Sequence, residues 1–253
     1  MRVLARGRHR RTTACWRGLH LAGLLLALSA GTQAASLQVA PTSLQLTPRQ
    51  NADALWISNS GTAPVSVQAR VYRWTQRDGR DSLEPTTDLA VSPPMQALAA
   101  GQQQLIRVVR AQPDAPDNQL SYRVIVDEVP SLDPERRGMQ FVLRYSLPVF
   151  VQPGGEHPLR YDLQTSVDTL ADGSLVLQVH NRGNSYAQLA DLALGTLERP
   201  QVFQPGLVGY VLSGQTMRWP LTVSAARMAG ATLSAKINGE SQPTPLSPTP
   251  PAR

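Results

Sequence analysis

Cysteine is all but missing from this sequence. The one thiol, Cys15, lies in the basic and apolar N-terminal stretch, so nothing beyond residue 35 can form a disulfide, bind a metal through a thiolate or act as a thiolate nucleophile. A packed core has to hold the fold by itself. Histidine is nearly as scarce: His157 and His180 are the only two beyond that stretch, and no metal cluster or acid–base constellation can be drawn around either. An enzyme, a resident metal and a cofactor are therefore not expected. Lysine is reduced to Lys236. No amphipathic helical run of useful length occurs, and no repeat of about 20 to 50 residues, so solenoid and α/β readings fall away.

What is present begins with a secretory signal. Met1 to about Ala34 carries Arg2, Arg6, Arg8, Arg10, Arg11 and Arg17, then the apolar run Leu19 to Leu28, then the small-residue end Thr32-Gln33-Ala34. The apolar run is short for a bilayer span and no stop-transfer pattern follows, so the mature chain is expected to be exported to the periplasm without membrane insertion. Arg10-Arg11 lacks the rest of a twin-arginine motif. Cleavage would remove six of the 24 basic residues and no acidic ones, leaving 18 basic against 18 acidic. The pI near 10.1 therefore belongs to the leader and is no argument for nucleic-acid binding. Roughly 219 residues remain, which suits two ordinary domains.

From Ser36 on, short alternating runs are separated by Gly, Pro, Asn and Asp, the pattern of half-buried antiparallel strands. The expected strands are Leu37 to Val39, Ala54 to Ser58, Val65 to Trp74, Gln103 to Arg110, Ser121 to Glu128 and Met139 to Val151. Gln152-Pro153-Gly154-Gly155 breaks the last run and reads as a hinge. Beyond it come Asp162 to Val167, Leu175 to His180, Ala187 to Leu194, Thr216 to Val223 and Ala231 to Ile237, with Asp172-Gly173 as a hairpin turn. The fold class expected is all-β, with one immunoglobulin-like β-sandwich over residues 36–152 and a second over 156–241. Residues 242–253, rich in proline and without apolar periodicity, read as a disordered tail.

Few residues invite a chemical reading. Asp127 and Glu128 are adjacent, but neighbours in a strand point to opposite faces, so their carboxylates should not converge. Asn59-Ser60-Gly61 lacks the Ser or Thr of a glycosylation acceptor. Trp56, Trp74 and Trp219 read as packing. The unusual segment is Met139 to Val151. Met139, Phe141, Leu143, Tyr145 and Leu147 share one face, while Val142, Val149 and Phe150 make the rest apolar as well. Such a strand is either a buried central strand or an edge that offers its backbone and side chains to a partner chain.

At this point the chain resembles the periplasmic pilus-assembly chaperones of chaperone–usher systems, in the branch serving archaic or spore-coat-type pili. The resemblance rests on Ser121-Tyr122-Arg123-Val124-Ile125-Val126-Asp127-Glu128-Val129-Pro130, on Leu143-Arg144-Tyr145-Ser146-Leu147-Pro148-Val149-Phe150-Val151 and on Val179-His180-Asn181-Arg182-Gly183-Asn184-Ser185-Tyr186, in that order. It implies two immunoglobulin-like domains set at an angle and favours the edge-strand alternative. Such a chaperone lends its long strand to complete a pilus subunit that lacks one, and passes the subunit to an outer-membrane usher. Met139, Phe141, Leu143, Tyr145 and Leu147 would enter the subunit's groove. Family members hold the subunit's terminal carboxylate with an Arg on the first strand and a Lys on the lent strand. Here the first-strand position falls among Pro41, Thr42 and Ser43, and Pro148 stands at the Lys position. The resemblance leaves Arg123 and Arg144 as the expected carboxylate anchor. An immunoglobulin-like binding or adhesion module is the alternative function. The exposed edge also leaves self-association open.

Overall fold

The computed structural model describes residues 37–112, 115–130, 141–155 and 158–246. The expected leader therefore lies outside the described residues, as do Met139 and His157. The first sandwich sets the sheet β1 (Leu37–Ala40), β3 (Ala52–Asn59), β8 (Gln103–Arg110) and β6 (Leu89–Ser92), in the order β1-β3-β8-β6, against a second sheet. That second sheet runs β2 (Leu44–Leu46), β10 (Arg144–Val151), β9 (Leu120–Val129), β4 (Val65–Arg77) and β5 (Arg80–Pro85), with β7 (Met95–Leu98) also paired to β4. Alternation directs Leu55, Ile57, Ile106 and Val108 from one sheet onto Val67, Ala69, Tyr122, Val124, Val126 and Val149 from the other. The opposite parity faces out, which corrects one packing expectation: Trp56, between buried Leu55 and Ile57, is half exposed.

The second sandwich pairs β11 (Leu163–Thr169), β12 (Leu175–Asn181) and β15 (Thr216–Leu221) in one sheet, and β14 (Pro200–Val211), β13 (Ala187–Gly195), β16 (Thr232–Ile237) and β17 (Thr244–Pro245) in the other. Leu177, Val179, Leu189, Leu192, Val211, Ala235 and Ile237 fill its core. The chain is thus all-β with two immunoglobulin-like domains, and α1 (Ala225–Met228) is a single turn. Asn181, fully buried, ties the start of this sandwich together. Its Nδ2 donates to the carbonyls of Ser185 and Val211, and its Oδ1 accepts the N–H groups of Asp162 and Gly183.

One expectation is overturned by packing. The segment read as a tail from residue 242 begins as structure: Thr244–Pro245 pairs with β16, and Leu246 is buried in the second core. A single apolar side chain followed by polar residues gives no periodicity to detect, yet it fills a site that only the folded sandwich creates.

The sandwiches meet at an aromatic cluster. Trp74 and Phe150 from the first pack with Tyr186, Tyr210 and Leu212 from the second, Phe150 and Tyr186 stacking at 4.0 Å between centroids. Buried Gln76 adds a latch: its Nε2 donates to the Tyr210 carbonyl at 2.8 Å, and its Oε1 accepts the Leu212 N–H at 3.0 Å.

Candidate functional site

Strand β10 divides into two halves. Its second half is interior: Val149–Val151 pairs with β2 on one side and with β9 on the other. Along Arg144–Pro148 β9 still pairs on one side, and among the described residues no strand pairs on the other. A segment apolar on both faces thus serves as central strand in one half and as open sheet edge in the other.

The side chains follow the same division. Leu147 is buried in the first core; Leu143 and Tyr145 pack half-buried against it, and the Tyr145 hydroxyl donates to the Leu37 carbonyl at 2.5 Å. Phe141 is 79% exposed and Val142 half exposed, large apolar groups left in solvent at the mouth of the edge. Of the expected row, four residues are therefore described, and they grade from core to solvent along the strand.

On the opposite face of this sheet lie the charges. Asp127 accepts hydrogen bonds from both Arg144 Nε and Arg70 Nη2. Burial by itself would raise the Asp127 pKa, but the hydrogen bonds from Arg144 and Arg70 outweigh it and hold the carboxyl below its ordinary value. Glu128 serves the other face: its carboxylate accepts the Leu143 N–H at 3.2 Å. The adjacent acids do not converge.

Arg123 and Arg144 are not brought together. Register pairs Arg144 with Asp127 and Arg123 with Pro148, so four strand residues, about 13 Å, separate the two levels. Arg144 is two-thirds exposed and spent on Asp127. Arg123 sits instead at the junction of the sandwiches, its guanidinium 3.7 Å from the Trp74 ring centroid and 5.4 Å from that of Tyr210. Its Nη1 donates to the Ser146 carbonyl of the open edge at 3.3 Å. Among the described residues no carboxylate reaches ion-pairing distance of it. Burial lowers its pKa, opposed by the charges of Asp81 and Tyr210, and a guanidinium keeps its charge in proteins. Arg123 is a half-buried cation that no described carboxylate pairs directly, one strand away from an open sheet edge. Of the two arginines expected as an anchor, Arg144 is engaged in an ion pair and Arg123, among the described residues, is not.

Sequence reasoning missed Tyr210, Tyr186 and Gln76, which complete this junction. Tyr186 closes the Val179 to Tyr186 motif, and that was its only trace; β14, which carries Tyr210, has too little alternation to be read as a strand, being an edge with half of its residues exposed. His180 is a half-buried strand residue with Nδ1 2.9 Å from Thr216 Oγ1. The described residues contain no group of three metal-ligating side chains.

Comparison with known proteins agrees with this fold. The N-terminal domain of pili and flagellar-assembly chaperones of the PapD type matches residues 36–156. No curated protein sequence matches. Among solved structures, the chaperone–tip adhesion subunit pre-assembly complex CsuC–CsuE, from archaic chaperone–usher Csu pili of Acinetobacter baumannii, matches at 25% identity and a TM-score of 0.67, over 83% of this chain and 97% of the other. The Salmonella enterica SafA pilin–SafB chaperone complex matches at 19% identity and a TM-score of 0.55, over 85% and 96%. The Pseudomonas aeruginosa CupB2 chaperone matches at 18% and 0.52, over 82% and 97%. These last two share the fold.

Proposed function

We propose that this chain, whose residues 36–156 match the N-terminal domain of pili and flagellar-assembly chaperones, is a chaperone–usher pilus-assembly chaperone that captures pilus subunits in the periplasm by lending them strand β10 and delivers them to an outer-membrane usher. The observation that carries this reading is the edge Arg144–Pro148, open among the described residues, beside Arg123, which no described carboxylate pairs directly. A subunit lacking a strand exposes an apolar groove and unpaired backbone. Adding a strand satisfies the backbone, and large side chains fill the groove. Phe141, Leu143 and Tyr145, with Met139 before them, supply that row, while Leu147 is held in the chain's own core. Arg123 supplies a cation at a fixed level, and a terminal carboxylate is a charge that every subunit carries. No ATP or metal is called on; exchange of one strand for another suffices.

The reading is tested by closing the edge. Ser146→Pro removes a backbone donor that faces away from β9 and leaves the β9 ladder intact. The expected result is a folded chain, by circular dichroism, that no longer co-purifies with a co-expressed pilus subunit of its own operon. Undiminished co-purification would overturn capture through this edge.

A further inference from the structure

The ladder between β9 and β10 fixes which backbone groups of β10 face outward. The Glu128 N–H donates to the Leu143 carbonyl at 2.9 Å. By the two-residue alternation of an antiparallel pair, Leu143, Tyr145, Leu147 and Val149 turn their backbone groups toward β9. The even-numbered residues turn theirs the other way. The Gln152 N–H, donating to the Leu46 carbonyl at 2.8 Å, confirms that parity where β2 covers the strand. Arg144 and Ser146 therefore present N–H groups to the open side. The next residue of that parity is Pro148, which has no N–H, and it stands where the open half meets the half covered by β2.

We propose that Pro148 sets the register of the captured strand, an inference that rests on capture through this edge and deepens it. Side-chain pattern alone cannot fix that register. A slip of one residue turns the apolar row to the wrong face and is rejected, but a slip of two restores the faces. The backbone makes the distinction. An incoming strand finds donors at Arg144 and Ser146 and none at Pro148, so a register that carries a carbonyl up to Pro148 leaves it desolvated and unpaired. That disfavours the slipped register on the order of tenfold to a hundredfold. The same missing donor bars β2 from lengthening along the edge, so the boundary between the chain's own strand and the partner's is one residue, Pro148. Arg123 pairs with Pro148 in the β9 register, so the place where the ladder must stop is also the level of the cation.

The test uses the absence of thiols beyond Cys15. Ser146→Cys is introduced and the chain is co-expressed with a subunit of its operon bearing single cysteines at successive positions of the pairing segment. With Pro148 in place, one subunit position gives the disulfide. In Pro148→Ala, and in Pro148→Val, which restores the N–H while keeping most of the ring's bulk, a second product two subunit residues away is expected in comparable amount. A single unchanged position in both variants overturns the proposal and leaves capture intact. If the parent complex purifies with no disulfide at any position, or no complex forms, capture at this edge fails and the register proposal falls with it.

Discussion

The guanidinium of Arg123, on a strand of the first sandwich, lies over the ring of Trp74 at 3.7 Å and within 5.4 Å of Tyr210 on the second sandwich. The contact fixes the cation where the two domains meet and holds it beside the open edge through the Ser146 carbonyl. A planar, delocalised guanidinium can stack and still offer a bidentate face to a carboxylate; an ammonium cannot.

Arg123→Ala should therefore weaken subunit binding by about 2–5 kcal/mol, since a carboxylate would be left unpaired in a partly dry site. Arg144→Ala, which removes an exposed ion pair with Asp127, should cost no more than about 1 kcal/mol. Affinity of each purified variant for the subunit, after a folding check, distinguishes the two; equal losses would return Arg144 to the anchor.

The gradient along the lent strand predicts different failures at neighbouring positions. Phe141→Glu places a charge on a residue that is 79% exposed in the free chain, so folding should be normal and capture lost, as a carboxylate cannot enter an apolar groove. Leu143→Glu meets the first core and should also lower the melting temperature. Thermal melts paired with co-purification read both outcomes.

Asp127 makes stability depend on pH with a definite sign. Its pKa lies below the ordinary 3.8 in the folded chain. The stabilisation is thus fully present above that ordinary value and is lost as pH falls through the lower folded one. Asp127→Asn should melt below the parent at pH 7, with a gap that closes beneath about pH 4. A gap constant from neutrality down to pH 3 would contradict the ion pairs with Arg70 and Arg144.

The junction predicts cooperativity. Gln76→Ala leaves the Tyr210 carbonyl and the Leu212 N–H without their partner, at a cost of about 1–3 kcal/mol. The two sandwiches should then unfold in separated steps by calorimetry. One sharp transition at an unchanged temperature would mean that the aromatic cluster suffices.

At the C-terminal end, Leu246→Ala should cost about 2–5 kcal/mol, because the side chain is buried in the second core. Deleting residues 242–253 should cost at least as much. An unchanged chemical-denaturation midpoint for the deletion would show that Leu246 packs without contributing.

By itself the sequence determined what short-range pattern can encode. Alternating runs such as Leu175-Val176-Leu177-Gln178-Val179 specify a strand with one buried face, and Asp78-Gly79 specifies a tight hairpin, which the left-handed φ values of 53° and 72° realise. The absence of cysteine beyond Cys15 left no thiol chemistry to read, and the apolar Met139 to Val151 run marked the unusual strand. Tertiary structure decided whatever depends on neighbours distant in the chain. Whether β10 is core or edge turns on how far β2, a hundred residues earlier in sequence, runs alongside it; periodicity reports faces but not which strands stand on either side. The fate of Trp56, half exposed between two core residues, and of Leu246, buried outside any periodic run, was set by what the opposing surfaces left open. So was the division of labour between two arginines of the same chemistry: Asp127 claims Arg144, while the closure of two domains stacks Arg123 on Trp74 and Tyr210 with no described carboxylate at ion-pairing distance.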